Sequence, residues 1–355
     1  MNVRTADSDS THRFSWNWSL KELSSVQKNG LKVFSCFSCG GGSSMGYKLA
    51  GYDVIGCCEI DPAMMKIYRQ NNHPRFSYLC DIRDLLKQDL PEELYDLDIL
   101  DGSPPCSVFS MAGKRSKFWG VEKAFREGQK EQRLDDLFMR FIDVAAELRP
   151  KVVVAENVKG LILKTAKGYV TEIISGFQSA GYDVQIFLLN SSRMGVPQKR
   201  ERVFFVCRRK DLSFPELSLT FNEKVITFGE VREEHGIPVQ EGSLSGQMIK
   251  LRVPTDRKLS DIAIRTRRKE VGYSNPINID EEPAHTVASG GTVFRMCDGM
   301  KMTDRDFINV QTFPQDYDFM DQSVQYVCGM SVPPVMMANL AKEIEIQVFE
   351  GKKHE

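Results

Sequence analysis

Along most of its first two hundred positions the chain alternates short apolar runs with amphipathic stretches. LKVFSCF, YDVIGCCEI, FSYLC, LDILDG, KVVVAEN, YDVQIFLLN and RVFFVCRR have the length and β-branched or aromatic content of strands. Between them, AMMKIYRQN and LDDLFMRFIDVAAEL repeat their apolar residues at helical spacing, and a further helix is expected near 168 to 180. Asp61-Pro62 reads as an N-cap followed by proline at the first helical position. Strands alternating with helices predict a doubly wound, mostly parallel sheet whose strand-end loops gather on one edge, where ligands bind.

Regularity is lost after Asp211. From 211 to about 300, prolines, glycines and charges are scattered without a period, which predicts a smaller, irregular second domain. VPPVMMANLAKEIEIQVFE reads as a closing helix. The expected organisation is an N-terminal arm over 1–29, a catalytic domain over 30–210, the irregular domain over 211–300, and a segment over 301–355 returning to the catalytic domain.

Composition narrows the class. The 355 residues are 41% hydrophobic with a net charge of -1, enough apolar content for a full core and no global field for nucleic acid. No apolar run is long enough to span a bilayer and the N-terminus has no secretory core, so an intracellular protein without membrane contact is expected. The nine cysteines are irregularly spaced and read as free thiols. Cys36 and Cys39 form a CxxC without a second ligand pair, so no metal is assigned. Basic residues concentrate in Arg193–Lys210 and Lys250–Lys269, where a nucleic-acid contact would be confined.

Candidate chemistry lies at the strand ends. Gly41 in the turn after the first strand lets a ligand approach the backbone, and Glu59 about twenty positions on can accept ribose hydroxyls. The missing GxGxxG points to an adenosyl ligand without phosphates. Asp81 stands where an adenine amino group could be taken. Cys106 follows LDILDG in a loop stiffened by Pro104 and Pro105; a thiolate there needs positive charge, which Arg200 and Arg202 can supply. Glu156 and Asn157 end the neighbouring strand. A cysteine, a carboxyl group and two arginines at the strand ends of one sheet form a catalytic constellation.

FSCFSCGGGSSMG, CCEID, CDI, SPPCS, ENV, QKRER, QTFP and GMSVPP, in this order, resemble the cytosine-5 DNA methyltransferase family. Two departures stand out: Ser35-Cys36-Phe37-Ser38-Cys39 replaces Asp-x-Phe-Ala-Gly, and Met330 replaces an asparagine. The resemblance implies a Rossmann-like class I fold that uses S-adenosyl-L-methionine, releases S-adenosyl-L-homocysteine and acts on double-stranded DNA. It implies Cys106 as covalent nucleophile, Glu156 at cytosine N3, Arg202 at O2, Arg200 near the thiolate and Asn157 fixing the loop. It places the methyl donor against Phe37, Ser38, Gly41, Gly42, Glu59, Ile60, Asp81, Ile82, Gly102, Pro105, Leu137 and Ser331. DNA contacts are expected from Ser110, Gln198, Arg265, Arg267, Arg268 and Thr286, with Ser107 to Arg133 as a lid over a flipped base. The resemblance further implies a monomer in a prokaryotic or phage-infected cytoplasm, associated with the nucleoid, and admits a cognate restriction endonuclease. A tRNA-directed relative and a weakly active DNA-binding relative remain alternatives.

Overall fold

The computed structural model describes residues 12–105, 136–163, 167–266 and 274–351. In chain order its strands are β1 (Lys32–Cys36), β2 (Asp53–Glu59), β3 (Phe76–Leu79), β4 (Ile99–Gly102), β5 (Val152–Val158), β6 (Tyr182–Asn190), β7 (Gln198–Lys199), β8 (Glu201–Arg209), β9 (Ile277–Asn278), β10 (Ala284–His285) and β11 (Phe294–Arg295). Helices are α1 (Gly42–Leu49), α2 (Pro62–Asn72), α3 (Ile82–Leu85), α4 (Leu137–Leu148), α5 (Lys167–Ser179), α6 (Phe228–Val231), α7 (Leu244–Ile249), α8 (Leu259–Arg265), α9 (Asp304–Gln311), α10 (Val324–Met330) and α11 (Pro334–Ile344). None of the described helices is long and apolar enough to cross a membrane.

Two compact units share the chain. One comprises Leu23–Asn190, Glu201–Leu219 and Leu340–Glu355; the other comprises Met1–Glu22, Ser191–Arg200 and Thr220–Asn339.

The first unit holds a seven-stranded sheet in the order β3-β2-β1-β4-β5-β8-β6. The first five of these strands run parallel, and β8 runs antiparallel to both β5 and β6. All seven strands match apolar runs of the sequence. The reversal at β8 has a simple cause. Only residues 191–200 separate β6 from β8, whereas a parallel crossover needs a dozen or more residues.

Both faces of the sheet are covered. Phe34, Cys36, Leu100, Val153 and Phe205 join one cluster with Ile82 and Leu85 of α3, Phe138 and Phe141 of α4, and Ile173 and Phe177 of α5. The opposite face meets α2, where Cys57 packs on Met65 and Tyr68. Cys57 and Cys58 thus face opposite ways and are both buried, as their apolar surroundings predict. Asp61 caps α2, accepting from the amides of Ala63 and Met64, with Pro62 at the first position.

In the second unit, Met248, Ile249, Leu259, Ile262, Ile277 and Phe294 form a small core of their own. The fully buried Arg295 side chain pairs with Asp298 at 2.9 Å and with the equally buried Asp306 at 3.4 Å. Trp18 of the predicted arm is 1% exposed, and its indole donates to Thr312 O.

Candidate active site

β1 opens into a turn that reverses sharply: Phe37, Cys39 and Gly41 take φ values of 53°, 46° and 85°. Such left-handed backbone costs about 1 kcal/mol or more for a residue with a Cβ. Cys39 occupies the position where glycine was expected, and it adopts the conformation a glycine would take. Its amide donates to Glu59 Oε2 at 2.7 Å, while Glu59 Oε1 accepts from the Asp61 amide at 2.8 Å. Burial pushes the Glu59 carboxyl up, opposed by these amides.

The other first-unit residues expected at the donor lie at or just beyond the ends of β1, β2 and β4 and at the starts of α3 and α4. Ser38 Oγ is buried without a hydrogen-bond acceptor or donor among the described residues, although the Cys57 thiol lies near it. Ile60 is 38% exposed, whereas Ile82 is buried. Asp81 caps α3 and is also paired with Arg83 at 2.8 Å. The Phe37 ring lies 6.3 Å from Phe141. A Cβ on Gly102 would stand 2.6 Å from the Phe141 ring, so only glycine leaves that aromatic in place. Leu137 is buried in the core and Pro105 is half-buried at the end of the described strand–loop segment.

At the end of β5, Glu156 is 8% exposed and its Oε1 lies 2.9 Å from Arg202 Nε. The pair forms across the β5–β8 ladder, since Arg202 stands opposite Val158 and Glu156 opposite Phe204. Burial pushes the Arg202 guanidinium down, opposed by Glu156. Asn157 Nδ2 donates to Pro104 O at 3.0 Å, and its Oδ1 accepts from Val158 N. Asn157 therefore grips the chain two residues before Cys106. Cys106, Ser110, Arg267, Arg268 and the expected lid over 107–133 lie outside the described residues.

Arg200 belongs to the second unit. It is 3% exposed and donates to Val287 O at 3.1 Å and Gly329 O at 3.2 Å. Gln198, expected at DNA, is fully buried; its amide donates to Val310 O and Gln311 Oε1 and accepts from Val287 N, so none of it faces outward here. Gln311 passes the contact on to Ser331 O at 2.8 Å. Ser331 Oγ is buried and has no hydrogen-bond partner among the described residues. Thr286 Oγ1 donates to Lys199 O. Arg265 holds Asp256 at 2.8 Å, while Arg252 and Arg257 are bonded to Met296 O and Glu282. Much of the basic run over 250–269 is therefore occupied in holding its own fold.

Sequence reasoning passed over Asp101. It is 2% exposed and accepts from Ser35 Oγ at 2.9 Å, Ser43 Oγ at 2.8 Å and Tyr47 OH at 3.4 Å. Burial pushes its carboxyl up to about 7, against the pull of these hydroxyls. The signal was present as an acid inside the apolar strand ILDG.

The family described as C-5 cytosine-specific DNA methylase matches residues 31–346. The type II methyltransferase M.NgoPII of Neisseria gonorrhoeae is 28% identical over 351 residues, covering 92% of this chain and 97% of its own. M.FnuDI of Fusobacterium nucleatum is 36% identical over 191 residues, 54% of this chain and 51% of its own. Among solved structures, a mutant of Spodoptera frugiperda DNMT2 superposes with a TM-score of 0.60 at 16% identity, over 89% of this chain and 99% of its own. The methyltransferase EhMeth of Entamoeba histolytica gives 0.58 at 15%, over 90% and 99%. At those identities the structures speak for the fold alone, a doubly wound, mostly parallel sheet. The sequence match covers nearly the whole chain, and on it the protein belongs to the C-5 cytosine-specific DNA methylase family.

Proposed function

We infer that the chain is a DNA (cytosine-5-)-methyltransferase that works through a transient bond between Cys106 and cytosine C6. The observation that carries this reading is the pair Glu156–Arg202 at 2.9 Å, one strand from the segment whose Pro104 carbonyl Asn157 holds. A carboxyl group and a guanidinium side by side suit the N3 and O2 edge of cytosine, and the held loop leads into the nucleophile.

The donor side supports the same reading. The strained turn, the Glu59 carboxyl tied to it and the buried Ser38 hydroxyl suit a neutral-ribose ligand such as S-adenosylmethionine. Phe37, Glu59, Ile60 and Asp81 would hold the adenosine, with Gly41 and Gly42 near the amino-acid part. When bound, the group supplies a methyl on a sulfonium, an electrophile for carbon 5.

The residues then divide the work. The Cys106 thiolate adds to C6, which makes C5 nucleophilic. Glu156 keeps a proton at N3 while Arg202 stabilises charge at O2. After C5 is methylated, loss of its proton breaks the carbon–sulfur bond and restores the thiolate. The base must leave the duplex stack first, at a cost of about a few kcal/mol. Target choice is assigned to the second unit, around Thr286 and the basic run, and the host is taken to be a prokaryote or phage-infected cell with a cognate nuclease.

The test is covalent trapping. Duplex DNA in which cytosines are replaced by 5-fluorocytosine, incubated with S-adenosylmethionine, is expected to become bound to the protein through Cys106. Intact protein that shows neither adduct nor labelled methyl transfer on any mixed-sequence genomic DNA refutes the reading, as does a Cys106→Ser variant with full turnover.

A further inference from the structure

Asp101 is out of place by ordinary rules. A carboxyl group withdrawn from water costs several kcal/mol unless a cation or several donors compensate. Its donors among the described residues are three hydroxyls, Ser35 on β1 and Ser43 and Tyr47 on α1. Ser35 is its register neighbour across the β1–β4 ladder, and Ser43 lies in the first turn of α1. One side chain therefore ties together three elements: the strand before the donor turn, the helix after it, and the strand that leads to the nucleophile. The turn between Ser35 and Ser43 is the strained one, with Phe37, Cys39 and Gly41 at positive φ. A strained turn persists only where its surroundings over-determine it.

Resting on the donor site assigned above, we propose that Asp101 is the positioning residue of that site. Through Ser35, Ser43 and Tyr47 its carboxylate holds the start of α1, and with it Gly41 and Gly42, against the strand that runs on into Pro104, Pro105 and Cys106. The same group then registers the methyl donor's cradle with the nucleophile's loop. An ionised Asp101 can accept from all three hydroxyls at once, and a protonated one must donate to an oxygen that was donating to it. Donor affinity is therefore expected to weaken as pH falls through neutrality, where burial has moved this carboxyl. The titratable groups that face it are Cys36 on β1, Tyr47 on α1 and Glu156 on β5. Burial pushes the Cys36 thiol and the Tyr47 phenol well up, so both stay neutral over this range. Glu59 lies on β2 and serves parent and variant alike, so the ratio of their affinities isolates Asp101.

The experiment is calorimetric titration of the full chain with S-adenosylhomocysteine from pH 6 to pH 8, with a denaturation midpoint for every variant. At pH 8, Asp101→Asn is expected to raise Kd about 10-fold without lowering the midpoint, as for the loss of a hydrogen bond to a charged group. Its Kd should be flat with pH, whereas the parent's rises toward pH 6. Ser43→Ala keeps the acid and removes one donor, and is expected to raise Kd about 3-fold. The exchange Ser35→Asp/Asp101→Ser moves the carboxylate to its ladder neighbour and is expected to recover affinity to within about 3-fold of the parent, where Asp101→Ser alone does not. Parent-like Kd and pH profile in Asp101→Asn overturn the inference, as does an exchange variant no better than Asp101→Ser. If Asp101→Asn does not fold, Ser43→Ala and the exchange variant decide by the same criteria. A parent chain that binds no S-adenosylhomocysteine overturns the proposed function itself, and this inference with it.

Discussion

Replacing Asp101 by asparagine should make the protein more stable at pH 8, although it removes a charged partner of three hydroxyls. The carboxyl keeps its proton up to about 7, against 3.8 for the same group in the open. That difference corresponds to about 4 kcal/mol in favour of the neutral form inside the fold. The sign follows from proton counting. Between pH 3.8 and about 7 the folded chain holds a proton at Asp101 that the unfolded chain releases. Stability from this group is therefore full below 3.8, declines as pH rises, and is gone above about 7. An amide cannot ionise, and its oxygen and NH2 can still meet the three hydroxyls. The gain at pH 8 is bounded by about 4 kcal/mol and should shrink toward zero by pH 4.

Urea denaturation of parent and Asp101→Asn, followed by far-UV circular dichroism at pH 4.5, 6 and 8, reads this directly. Comparing the two proteins at each pH cancels the contribution of Glu59 and of every other carboxyl group. A variant less stable than the parent by the same margin at all three pH values would refute the reasoning, because the carboxylate would then be a net support of the fold. A gain in stability joined to a loss of donor affinity would mark Asp101 as a residue retained for the site at the expense of the scaffold.

Arg295→Met should cost about 3–5 kcal/mol in chemical denaturation, because it leaves Asp306 fully buried without its guanidinium; a loss below about 1 kcal/mol would show that Thr303 N and Glu233 N suffice for that carboxylate. Gly329→Ala would drive its Cβ into the backbone of Ala288 and Ser289, 2.5 Å from Ala288 O, and should destabilise by about 1–3 kcal/mol, with unchanged stability showing that the loop yields freely. Cys39→Gly should leave the thermal midpoint and the Kd for S-adenosylhomocysteine close to the parent's, since relief of a side chain at φ 46° offsets the freedom gained in the unfolded chain, about 1 kcal/mol each way. A Kd raised more than about 10-fold in that variant would show that the thiol itself serves the donor.

Elements with a strong local pattern were legible. Every strand of the large sheet coincides with an apolar run to within a residue at its ends, and Asp61-Pro62 marks a helix start because capping is a matter of adjacent residues. The direction of β8 was not read from its own composition, although the short connection before it held the answer. Gln198 shows the opposite limit. It sits in a basic segment and looks like a surface contact, yet Val287, Val310 and Gln311, about ninety to over a hundred positions away, complete its hydrogen bonds. Arg252, Arg257 and Arg265 likewise reveal their intramolecular partners only in three dimensions.

The carboxyl groups at the sheet's ligand edge carry this point furthest. Glu59, Asp101 and Glu156 each lie in or at the end of a parallel strand, and each is less than a tenth exposed. In sequence they are three acids after apolar runs. In the fold Glu59 meets two backbone amides, Asp101 meets three hydroxyls, and Glu156 meets a guanidinium. Donors of such different strength give equally buried carboxyls different work. Glu156 has a full positive charge beside it, at 2.9 Å. Fixed amides tie Glu59 to the turns that follow β1 and β2. The hydroxyls around Asp101 can reverse their donor and acceptor roles when it gains a proton. Each of these properties is set by what the neighbouring strand or helix brings to the acid. Position at a strand end singled out Glu59 and Glu156 in the sequence, whereas Asp101 lies inside its apolar run and its hydroxyl partners come from β1 and α1.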